Sequence, residues 1–87
     1  MLEGPGSMRM RGMVHDLSEG GCQFRTTALV GVGTRVRLQL PLEGGLHPVE
    51  GIVRYVRPEE QRGIRVYLCG IEFARVSPPL KRLIRNL

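Results

Sequence analysis

Tryptophan is absent, lysine occurs once (Lys81), and the 87-residue chain has just four aromatic side chains: Phe24, Tyr55, Tyr67 and Phe73. Aromatics this few and this scattered form no base-stacking platform, so nucleic acid is not an expected partner. No apolar run approaches the roughly 18–20 residues of a membrane helix, and membrane insertion is not expected. No basic-then-apolar leader precedes the first strand pattern, which points to a cytoplasmic protein. Charge runs never exceed two residues, and Val, Leu, Ile and Met recur throughout, so disorder is not expected. The length leaves room for one domain, which buries about 60–65% of its unfolded surface and needs one continuous core.

Cysteine is also sparse. Cys22 and Cys69 lie far apart in sequence, and nothing marks the chain as secreted, so two buried thiols on strands are expected rather than a disulfide. With His15 and His47 they would total four zinc donors, but neither pair has the short spacing that lets one turn present two ligands. No metal and no cofactor are expected. The enzyme motifs fail as well: there is no G-x-S-x-G, no phosphate-binding P-loop, no H-E-x-x-H and no carboxylate pair in a cleft-like context. Ser18 is near Asp16, but a triad needs a histidine base, and His15 is adjacent on the opposite face of its strand. Catalysis is not expected.

Arginine is abundant, supplying twelve of the 13 basic residues against 8 acidic ones, for a net charge of +5. Guanidinium groups bind phosphate or a guanine edge through two parallel hydrogen bonds, so the composition suits an anionic partner. A GC-rich genome produces the same bias without any function.

The hydropathy pattern is β. Residues 8–15 alternate, with Met8, Met10, Gly12 and Val14 against Arg9, Arg11, Met13 and His15. Asp16–Gly21 (DLSEGG) reads as a turn, whose glycines accept positive φ and whose Asp and Ser bond their own backbone. Strands are expected at 22–26, 34–40, 49–57 and 63–74, with connections at 27–33, 41–48 and 58–62. The last strand is apolar at both parities, which fits a strand buried on both faces or one bent by a bulge near Gly70; barrel closure supplies both. A helix is expected over 77–87, with Ser77 as N-cap, Pro78 in the first turn, and an apolar stripe of Leu80, Leu83, Ile84 and Leu87. The fold class is mainly β: a small antiparallel barrel of five to six strands with a C-terminal α-helix. Residues 1–7 (MLEGPGS) read as a tag remnant or a truncated turn, and 8–87 as the single domain.

Asp16, Ser18 and Gly21 form D-x-S-x-x-G between two strands. Downstream stand Val32–Thr34 leading into a strand, then Gly70-Ile71-Glu72-Phe73 and the Ser-Pro helix. In this order the elements resemble the PilZ domain family, bacterial receptors for cyclic di-GMP, over roughly residues 8–87. The resemblance implies a cyclic di-GMP site at Asp16, Ser18, Gly20 and Gly21 that signals by binding rather than catalysis. The chemistry agrees: Asp16 can accept from guanine N–H groups, Ser18 can bond phosphate or base, and the glycines let backbone approach a flat ring. The bland alternative is an Asx-turn serving only the fold.

The family's second motif, R-x-x-x-R upstream of the Asp, has no counterpart here. Arg9 and Arg11, spaced R-x-R, are the only arginines before Asp16 and are candidate phosphate contacts. The resemblance therefore leaves two readings: a cyclic di-GMP receptor with weakened or lost binding, or a ligand-independent adaptor for another bacterial protein in motility or secretion. An uncovered edge along residues 9–14 would favour a homodimer or domain swap.

Overall fold

The computed structural model describes residues 2–3 and 9–87; the side chains of Glu3 and Arg9 lie outside that description, as do the residues 4–7 on which the tag reading rests. Seven strands form one antiparallel sheet: β1 (Leu2–Glu3), β2 (Arg9–Met10), β3 (Gly12–His15), β4 (Gly21–Thr26), β5 (Arg35–Leu42), β6 (Gly45–Gln61) and β7 (Ile64–Arg75). Helix α1 (Pro78–Arg85) follows. The strand order is β2-β1-β5-β6-β7-β4-β3, so β2 and β3 stand at opposite ends of the sheet although Arg11 alone separates them in sequence. A sheet whose two ends belong to one stretch of chain must curl on itself. The expected small barrel with a terminal helix is the fold.

Strand length also requires the curl. The 17 residues of β6 would span about 55 Å if straight, yet the longest dimension of the molecule is 39 Å. The strand bends at a register shift between Val53 and Tyr55, where Arg54 is the extra residue opposite Ile71 and Gly70. Bending at this point explains the double-parity run in β7: Leu68, Cys69, Gly70 and Ile71 are all buried in succession.

The inside of the curl is apolar. Leu2, Phe24, Leu38, Leu40, Val53 and Cys69 are fully enclosed, and Val36, Val49, Ile71 and Phe73 nearly so. Leu2 belongs to this core, and β1 covers the Arg9–Met10 edge by pairing with it and with Arg37–Leu38 of β5. On the outer face the registers place Arg37, Glu50 and Arg75 opposite one another in a row across β5, β6 and β7. Opposite charges in directly paired positions favour this register over its neighbours.

The expected connections at 41–48 and 58–62 are much shorter in the structure. Strands β5 and β6 meet at Glu43–Gly44, and β6 and β7 at Arg62–Gly63. The prolines that suggested loops lie inside strands, at Pro41, Pro48 and Pro58. Each sits where its strand has a partner on one side only, so the missing N–H breaks no ladder. Helix α1 starts as expected: Ser77 is extended and its hydroxyl accepts from the Leu80 N–H (3.4 Å). Leu80 and Ile84 are buried against the core and Leu83 is half-buried. Leu87 lies past the helix end and is exposed, so it does not join the stripe.

Candidate functional site

The D-x-S-x-x-G segment is the turn joining β3 to β4. Its backbone folds through Ser18, whose N–H donates to the Gly21 carbonyl (2.9 Å) and whose hydroxyl donates to the same oxygen (3.3 Å). The Phe73 N–H donates to the Gly20 carbonyl (2.9 Å), anchoring the turn on β7. The left-handed residue here is Asp16, at φ 49°, while neither Gly20 nor Gly21 takes a positive φ. This reverses the expectation that the glycines supply the bend. Asp tolerates left-handed backbone better than most side chains, so the position has a backbone reason for Asp as well as a chemical one.

The two glycines do different work. A Cβ on Gly21 would strike the carbonyl of Ile71 across the ladder, so close strand approach requires glycine there. Around Gly20 a Cβ would meet nothing within 4 Å, and its backbone stands open to solvent. Asp16 and Ser18 are exposed, and among the described residues the Asp16 carboxylate has no hydrogen-bond partner. Asp16, Ser18 and Gly20 lie exposed in the turn joining β3 to β4, and Gly21 opens β4.

Glu19, between them, is turned the other way. Its carboxylate accepts from Arg85 of α1 at 2.8 Å. That hydrogen bond, helped by the charges of Arg85 and Lys81, holds the Glu19 carboxyl below the usual carboxylate range. This tie left no local signal in the sequence, because its partners are 66 positions apart.

Arg11 does not join the turn. It stands five residues before Asp16, about 16 Å along an extended chain, and lines a groove with Met13, His15 and Arg25. The Arg9 side chain lies outside the described residues. His15 neither serves Ser18 nor meets a cysteine: its Nε2 accepts from Arg25 Nη1 (3.1 Å), and Arg25 Nε donates to Glu59 (2.9 Å). An arginine only donates, so His15 carries its proton on Nδ1. Beside this chain, the Tyr55 ring lies over Gly70, occupying the space a Cβ would need, and its hydroxyl accepts from Gln23 Nε2 (2.8 Å). These outer-face groups escaped the sequence reading; an isolated glycine in an apolar strand was the one signal.

Cys22 and Cys69 are free and buried. Burial pushes the Cys22 thiol up to about 12 and raises that of Cys69 too, which disfavours the thiolate form of both. Among the described residues no three His, Cys, Asp or Glu side chains come together, and no helix is long and apolar enough to cross a membrane.

The fold is a curled antiparallel sheet with a capped terminal helix and a polar turn at its rim. The family model for the PilZ domain matches residues 2–87, nearly the whole chain, and the protein belongs to the PilZ domain family. Domains of this family are ligand-binding or adaptor modules and generally non-catalytic. No curated protein and no solved structure matches the chain significantly.

Proposed function

We propose that the protein is a cyclic di-GMP receptor module that signals by binding, with the β3–β4 turn as its half-site. The observation that carries this reading is the exposed Asp16 carboxylate, unpartnered among the described residues and carried in the same turn as the open backbone of Gly20. Asp16 accepts from the N–H edge of a guanine; Ser18 Oγ turns from the Gly21 carbonyl to a phosphate oxygen; Gly20 and Gly21 admit the flat base. The test is calorimetric titration with cyclic di-GMP. Saturable heat with the native chain, abolished in Asp16→Asn with an unchanged circular dichroism spectrum, is the expected result. No heat at millimolar ligand would refute it.

A second reading is supported by how much of the turn is already engaged inside the molecule. The Ser18 hydroxyl is bonded to Gly21 and the Glu19 carboxylate to Arg85. On this reading the domain is a ligand-independent adaptor for another bacterial protein, in motility or secretion. A partner retained by the Asp16→Ala variant in a pull-down favours the adaptor.

A further inference from the structure

Beyond the Asp16 turn, at the far end of β3, the outer face carries a second concave surface. Two adjoining cavities of about 510 and 650 Å³ share Thr27, Gln61 and Val66 and form one open groove between β3 and the projecting tip of the β6–β7 ribbon. Arg11, Arg25 and Arg62 line it, and among the described residues no acid does, although Glu59 beside it already bonds Arg25 at 2.9 Å. Between the arginines lie Val66, which is buried, and Met13 and Ile64, which are 64% and 59% exposed. Arg25 is held in place by Glu59, while Arg11 and Arg62 are exposed.

We infer that this groove is a docking surface for an extended acidic peptide segment of a partner protein, with carboxylates alternating with apolar side chains. Charge complementarity selects the occupant. Two exposed guanidiniums, Arg11 and Arg62, call for carboxylates, and the apolar floor calls for aliphatic groups between them. An open trough does not enclose a small molecule as ligand cavities do. Nucleic acid would leave Met13, Ile64 and Val66 without a use, and no aromatic residue lines the groove to stack on bases. A second copy of a chain carrying net charge +5 would set arginines against arginines.

The test is an ¹⁵N–¹H NMR titration of the full chain with a capped hexapeptide alternating Asp or Glu with Leu or Val. Saturable shifts at Met13, Thr27, Gln61 and Ile64, persisting in Asp16→Asn, are expected; that persistence separates this surface from the dinucleotide site. The paired variant Arg11→Glu/Arg62→Glu should weaken binding by about an order of magnitude, because reversed rim charges oppose the same carboxylates. Each of three results overturns the inference: no saturable shift at millimolar peptide, equal binding of the Asn/Gln analogue, or equal shifts from a single-stranded oligonucleotide.

Discussion

Glu19 and Arg85 are bonded at 2.8 Å, and through them the turn that carries Asp16 is tied to the terminal helix. The pair is exposed, so its contribution is electrostatic, modest and sensitive to salt. Because the Glu19 pKa is depressed in the folded state, the stabilisation is present above the carboxyl's unfolded value and is lost as pH falls through the lowered one. NMR titration of the Glu19 side-chain carbonyl should give a midpoint below that of free glutamate. In Arg85→Ala the midpoint should rise toward the ordinary value, and amide exchange in α1 should quicken.

The two glycines of the turn should respond oppositely to alanine. Gly20→Ala meets open space at an ordinary φ and should be neutral or stabilising, up to about 1 kcal/mol through the unfolded chain. Gly21→Ala forces its methyl onto the Ile71 carbonyl and should cost about 1–3 kcal/mol as an overpacked contact. Urea denaturation of both variants measures the contrast. If cyclic di-GMP lies against Gly20, that same stable variant should lose affinity.

Tyr55 and Gly70 form a second matched pair. Gly70→Ala evicts the ring from its seat and disturbs the Gln23 hydrogen bond, at a cost of about 1–3 kcal/mol. In a Tyr55→Ala background the same methyl has room, so the penalty should largely vanish. A double-mutant cycle in urea should therefore show strong coupling between the two positions.

The β6–β7 turn holds both central residues at positive φ, Arg62 at 53° and Gly63 at 79°. That geometry matches a type I′ hairpin turn, in which asparagine is favoured at the first position. Arginine there carries a left-handed cost of about 1 kcal/mol. Arg62→Asn should therefore raise the thermal midpoint, read by circular dichroism.

How far the sequence revealed this structure depended on how local each signal was. The helix cap at Ser77–Pro78, the alternation of Val36, Leu38 and Leu40, and the D-x-S-x-x-G turn were all legible, because each is fixed by residues within a few positions. The prolines misled, since Pro41, Pro48 and Pro58 mark loops by propensity but are tolerated on single-neighbour strand segments that only the sheet order defines. The same holds for the Glu19–Arg85 tie, the seating of Tyr55 on Gly70, and the charge row from Arg37 to Arg75. Each joins residues distant in sequence, and one sequence carries no record of such pairings.

Arg11 is where the chain changes neighbours, from β1 to β4, and its carbonyl is bonded at this break by the buried Thr26 hydroxyl (2.8 Å), which also accepts from the Ala28 N–H (3.3 Å). The curled sheet therefore has a seam, and the Thr26 hydroxyl is a hydrogen-bonded fastening across it. Thr26→Val would leave the Arg11 carbonyl and the Ala28 N–H without their partner, and opening would begin there, with β1 and β2 parting from β3 and β4 before the β5–β6–β7 meander loosens.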